Sequence, residues 1–193
     1  MRKLVFFLGG AGAGKTTVAK ELAKRSRTAL FDMDTLLRPA AEAIMTLSGL
    51  DPNDRDSELY KSRCRDLGYR LTMDAALENV ELGNDAFVIG PFTKETEDPA
   101  WLANELSRIG ATLNDVEVKV IFVCLPDDSH YRARILQRGS MLDAWKLDNW
   151  EAFSKSLVPR AVQWPLSESS VLYFDNSEEL TEQKLALAER FIG

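Results

Sequence analysis

Five short runs of bulky apolar residues punctuate the chain: "KLVFFLG" at the start, "TALFDMD" from Thr28, "DAFVIGPF" from Asp85, "VEVKVIFVCLP" from Val116 and "SSVLYFDNS" from Ser169. Each is bounded by turn formers and rich in Val, Ile, Phe and Leu, the pattern of strands buried on both faces. Between them the apolar period lengthens to that of helices. Tyr60, Cys64, Leu67 and Leu71 recur at spacings of four, three and four, which predicts one helix face within a helix over Ser57 to Glu81. "SEELTEQKLALAERFIG" predicts a closing amphipathic helix with Ser177 as its cap. Strand and helix alternate throughout, so the expected class is α/β, a mostly parallel sheet with helices on both faces and right-handed crossovers. Residues 127–168 are the exception: helix-rich, charged and far longer than one crossover, they are a candidate lid. No internal repeat or low-complexity segment interrupts the pattern.

A chain of 193 residues with 45% hydrophobic composition supports one domain, 1–193, with the lid inserted at about 127–168. The net charge of -6 argues against a protein held on nucleic acid or an anionic membrane by its overall field, so any anion it binds must be met locally. The opening cations and the run Leu4 to Leu8 are too short together for a secretory signal, and no apolar stretch is long enough to span a bilayer. Cys64 and Cys124 have no C-x-x-C spacing and read as reduced core residues, which points to the cytoplasm.

The chemistry is concentrated in "FFLGGAGAGKTTVAK". Gly9, four residues, Gly14, Lys15 and Thr16 match G-x-x-x-x-G-K-[ST] directly after a predicted strand and ahead of a helical pattern, the context the motif requires. Small residues let the amides of Gly10, Ala11, Gly12, Ala13 and Gly14 converge on phosphate oxygens, and the helix beginning near Lys15 aims its positive end at the same anion. Lys15 would reach the β and γ phosphates, Thr16 would offer its hydroxyl to Mg²⁺, and Thr17 would add a contact to the α phosphate. Neither D-x-x-G nor N-K-x-D occurs, which argues against a GTPase. The strand "FVIGPF" ends without the carboxylate of a motor-type ATPase.

"LFDMDTL" supplies two aspartates two apart at the end of the second strand. If the strand is still extended there, Asp32 and Asp34 point to the same side, above the carboxyl edge of the sheet where open α/β folds bind ligands. One carboxylate then supports a metal's water shell and the other accepts a proton from an attacking hydroxyl. The same D-x-D also reads as a helix cap, because Asp before Thr-Leu-Leu caps well. The P-loop, the D-x-D and an arginine-bearing helix after the fourth strand together resemble the small-molecule kinases of the P-loop class, among them gluconate kinase, shikimate kinase, chloramphenicol phosphotransferase and zeta toxin. "GLDPNDRDSELYKSRCRDL" lies where gluconate kinase has a substrate-side loop, although its "NDRD" departs in order from the family string. The resemblance implies a three-layer P-loop NTPase fold with a five-stranded parallel sheet of order 2-3-1-4-5 and a helical lid. It also implies that Asp32 supports Mg²⁺ and that Asp34 contacts the acceptor hydroxyl, as its base.

In "YRARILQRGSMLDAWKLDNW" Arg134 and Arg138 are four apart and share a helix face, with Arg132 roughly opposite. Two guanidinium forks there would clamp donor phosphates or the phosphoryl group in flight. The resembled kinases have R-x-x-x-R at this place, which makes both lid arginines. A solvated helix with acidic start and basic end is the competing reading. Gly139 is expected to end that helix, and Lys146 and Trp150 to form a packing or cation–π pair. His130 lacks metal-ligand partners. Arg38, Arg63, Arg65, Thr93 and Lys94 are candidates for meeting an acceptor, and Asn176 and Ser177 for lining the adenine site. The expected activity is ATP- and Mg²⁺-dependent phosphorylation of a small-molecule hydroxyl, with no long nucleic acid or membrane as partner. A regulatory ATPase read by a protein partner, or a kinase of nucleotides or polynucleotide ends, is the alternative.

Overall fold

A computed structural model describes residues 1–193. Its elements run in chain order: β1 (Arg2–Leu8), α1 (Lys15–Ser26), β2 (Ala29–Asp32), α2 (Met33–Leu47) and α3 (Glu58–Tyr60). A π turn (Lys61–Arg65) leads into α4 (Asp66–Glu81), then β3 (Ala86–Ile89), α5 (Trp101–Ser107), β4 (Val116–Cys124) and α6 (Asp128–Arg138). Short helices α7 (Ala144–Asp148) and α8 (Trp150–Ser154) precede β5 (Val171–Asp175) and α9 (Glu182–Ile192). The five strands form one sheet of order β2-β3-β1-β4-β5, and every pairing is parallel. The five runs of apolar residues are the five strands.

Strand periodicity divides the core into two layers. Leu4, Phe6 and Leu8 of β1 face α4 and α5, where Met73, Leu77, Leu102 and Leu106 pack, while Val5 and Phe7 face Val18 and Leu22 of α1 and Leu185 of α9. Alternating side chains of one strand thus serve opposite layers, the reason its sequence is apolar without interruption. No helix is long and apolar enough to cross a membrane.

Two local expectations give way. The helix from Glu58 to Glu81 is continuous but contains the π turn, which inserts a residue and rotates α4 relative to α3. Cys64 is buried as expected, yet the buried face runs on through Gly68, Tyr69, Thr72 and Met73, and Leu71 lies outside it, 36% exposed. The closing helix begins later than its predicted cap: Thr181 accepts the Lys184 amide, whereas the Ser177 amide donates to Asp175. Cys64 is buried, Cys124 half-buried, and both are free thiols.

Candidate active site

The site forms along the carboxyl edge of the sheet, where each strand hands over to a loop or helix. After β1 the chain turns through the glycine-rich loop into α1. Gly14, with φ 93°, is the residue before Lys15, and a Cβ there would run into the Asn176 amide. Gly12, with φ 86°, lies against α6, where a Cβ would come within 3.0 Å of Ile135. Both positions therefore need glycine because the loop is wedged between α6 and the end of β5. No side chain caps α1. Its first intrahelical bond is Val18 N–H to the Gly14 carbonyl at 3.1 Å, so the amides of Lys15, Thr16 and Thr17 ahead of it are free donors at the positive end of a helix.

Lys15 reaches back over this loop and donates to the carbonyls of Gly9 and Gly10 at 2.8 and 2.9 Å. Burial pulls its pKa down to about 8, with Asp34 and Asp32 partly opposing the shift. Bare amides and an ammonium ion short of negative charge make a cradle that fits a polyphosphate. Gly10 and Ala13 shape the cradle rather than face the cleft: Gly10 packs against Leu157 and Tyr131, and Ala13 is fully buried, its carbonyl bound by Asn176 Nδ2 at 2.8 Å. Ala11, Gly12, Gly14, Lys15, Thr16 and Thr17 all line the cleft.

The D-x-D pair arrives differently from expectation. β2 ends at Asp32 and α2 starts at Met33, so strand geometry does not relate the two carboxylates. Asp32 is the N-cap of α2, accepting the Asp34 amide at 3.0 Å through Oδ1, and through Oδ2 it accepts the Thr16 hydroxyl at 3.0 Å. Cap and contact with the P-loop are made by the same carboxylate. Asp34 is exposed in the first turn of α2 and lines the cleft. Thr16 and Asp32 offer hard oxygen donors suited to Mg²⁺. No group of three metal-binding side chains occurs, so further ligands would be phosphate oxygens and water, as Mg²⁺ prefers.

These groups open on one cleft of about 890 Å³. Nine cations and four carboxylates line it, which meets locally the anion problem that the net charge of -6 poses. Arg134 and Arg138 both lie there. Arg134 donates to the carbonyls of Ala13 and Ser177 at 3.3 Å each and to that of Asn176, tying α6 to the loop and to the end of β5. Arg138 pairs with Asp143 through Nε at 2.8 Å and through Nη2. Gly139, φ 59°, ends α6 as expected. Lys146 and Trp150 do not pair, because Asn149 separates α7 from α8: Trp150 takes Arg132 at 5.9 Å, and Lys146 bonds Asp143 at 3.0 Å. Asp127 caps α6, its carboxylate accepting the His130 amide at 3.1 Å, and the His130 ring lies against the same carboxylate with Nδ1 at 2.8 Å.

The far wall was only partly anticipated. Arg38 and Arg65 line the cleft; Arg63 instead bonds Ser48 outside it. Thr93 accepts from Arg65 at 2.7 Å, whereas Lys94 is exposed away from the lining. Arg55, Asp56, Tyr60, Lys61 and Tyr69 complete the wall, and the "NDRD" string was the signal for the first two. Arg55 lies over the Tyr60 ring at 5.2 Å and Arg65 over Tyr69 at 5.6 Å. Burial pushes both phenols up to about 12, which leaves them neutral hydroxyls.

A family model described as shikimate kinase matches residues 11–47, from the loop through α2. No curated protein sequence matches the chain. Among solved structures, a protein of Chloroflexus aurantiacus assigned as a kinase shares 15% identity over 99% of this chain and 93% of its own, with a TM-score of 0.64. A sugar kinase from Janibacter sp. HTCC2649 gives 15%, 100%, 94% and 0.61. A gluconokinase from Sinorhizobium meliloti 1021 gives 14%, 99%, 89% and 0.53. At such identities the likeness is one of fold: this chain has the three-layer P-loop fold found in small-molecule kinases.

Proposed function

We propose that the chain is an ATP- and Mg²⁺-dependent kinase that phosphorylates a hydroxyl of a small molecule. The observation that carries this reading is the Thr16–Asp32 hydrogen bond, which joins the phosphate cradle to the D-x-D on one edge of a two-sided cleft. A cradle alone would serve a switch or a motor equally well. A cradle sharing about 890 Å³ with Asp34 and a wall of arginines and tyrosines leaves room for a second substrate.

The amides of Gly12 and of Gly14 to Thr17, with the Lys15 ammonium, hold the triphosphate, and Lys15 exchanges the Gly9 and Gly10 carbonyls for phosphate oxygens. Thr16 and Asp32 hold Mg²⁺, which when bound neutralises phosphate charge that would repel an incoming oxygen. Asp34 takes the proton of the acceptor hydroxyl as that oxygen bonds to the γ phosphorus and the bond to the β–γ bridging oxygen breaks. Arg134 and Arg138 stabilise the charge spread over the moving group. Of residues 127–168, the stretch from Arg134 to Lys146 lines the cleft and acts as a lid that excludes water, so that transfer is favoured over hydrolysis, whereas Leu157 and Trp164 are packed into the core.

The test is a panel of metabolites and antibiotics bearing hydroxyls, scored for acceptor-stimulated ADP release and for a product heavier by one phosphoryl group. One or more acceptors should stimulate release and be recovered phosphorylated. If none does, and a protein partner instead binds only in the presence of ATP, the kinase reading is wrong.

A further inference from the structure

We propose that Asp143 is a positioning residue: its buried carboxylate sets the Arg138 guanidinium for the phosphoryl group in transit, and Lys146 links that pair to the acceptor side of the cleft. This rests on the kinase reading above. Asp143 is 1% exposed, on the short turn after α6. Gly139 reverses the chain and Ser140 caps the turn, accepting the Leu142 amide at 3.3 Å, which brings Asp143 back to Arg138. Oδ2 accepts both Nε, at 2.8 Å, and Nη2 of Arg138. Oδ1 accepts from Lys146 at 3.0 Å, and the same ammonium lies 3.7 Å from Asp56 on the opposite wall.

A carboxylate taken out of water is costly unless its lone pairs are met, and here two cations meet them. Arg138 itself has little need of the contact, because its side chain is half-exposed and would be solvated without it. What the contact supplies is orientation. A free arginine samples many rotamers, and ordering it during transfer would raise the barrier; clamped along its Nε edge, it keeps Nη1 for the cleft it shares with Lys15 and Thr16. Lys146 makes the clamp sensitive to the acceptor side, since Asp56 belongs to the loop ahead of α3.

The experiment compares Mg·ADP binding with and without aluminium fluoride, a mimic of the phosphoryl group in flight, on the full chain. The wild type should bind Mg·ADP more tightly when the fluoride is present, by about tenfold or more. Asp143→Asn should keep affinity for Mg·ADP alone within about twofold and lose most of that increment. Arg138→Met should lose the same increment, and the double variant no more than either single one, because the two act as one unit. Should Asp143→Asn fail to fold, Asp143→Glu, which keeps the charge but moves the carboxylate by one carbon, should lose part of the increment. An unchanged increment in the Asp143 variants, additive losses, or no increment in the wild type overturns the proposal while Mg·ADP binding stands. If Mg·ADP does not bind at all, the kinase reading falls and takes this inference with it.

Discussion

At the scale of single residues, Lys15 shows what burying an ammonium ion costs the fold. Its pKa falls on folding from 10.5 to about 8 through burial, so the folded state carries a penalty that is complete below pH 8 and is relieved as pH rises toward 10.5. Lys15→Met should therefore raise the thermal midpoint of the nucleotide-free protein at pH 7, by about 2–4 °C if the relief is about 1 kcal/mol, with the gain shrinking toward pH 10. The same variant should lose most of its affinity for Mg·ADP, measured by calorimetry. Asp34 has a different assignment: it lies beside the cradle without bonding it through its side chain. Asp34→Asn should leave nucleotide affinity nearly unchanged and reduce transfer to the acceptor by about 10²-fold or more. Transfer that survives Asp34→Asn removes Asp34 from the role of base.

At the scale of elements, caps and turns decide which residues meet. Asp32 both ends β2 and starts α2, so the motif reaches the cleft through a helix N-terminus and not through an extended strand. The motif was legible; the backbone geometry beneath it was not, because a D-x-D satisfies both a strand end and a cap. The closing helix teaches the same point. Thr181 and Ser177 are both capping residue types before an acidic turn, and the choice depends on where β5 releases the chain. Thr181→Ala should destabilise the fold by about 1 kcal/mol in a denaturant melt, and Ser177→Ala by clearly less. An equal loss in the two variants would return the cap to Ser177. The π turn at Lys61–Arg65 is the third case: one extra residue turns Tyr69 and Met73 inward in place of Leu71.

At the scale of the whole molecule, an acidic chain carries a basic cleft. Nine cations around four carboxylates lie within a protein of net charge -6, so nucleotide binding is expected to weaken severalfold between about 50 and 500 mM NaCl, as calorimetry would show. Affinity independent of salt would mean that the cations are already neutralised by the carboxylates beside them. What the amino-acid order determined alone is what depends on near neighbours: the five strands from their apolar runs, and the glycine-rich turn from β1 into the helix that begins at Lys15. Only the folded chain decided which distant groups share a charge. Arg134 on the carbonyl of Asn176, Asp32 on Thr16, and Lys146 between Asp143 and Asp56 join segments from different parts of the chain. Local spacing places a side chain on a face of its own element; which partner waits there depends on how the layers pack, and hydrogen bonds and ion pairs act over distances shorter than any pattern along the chain can specify.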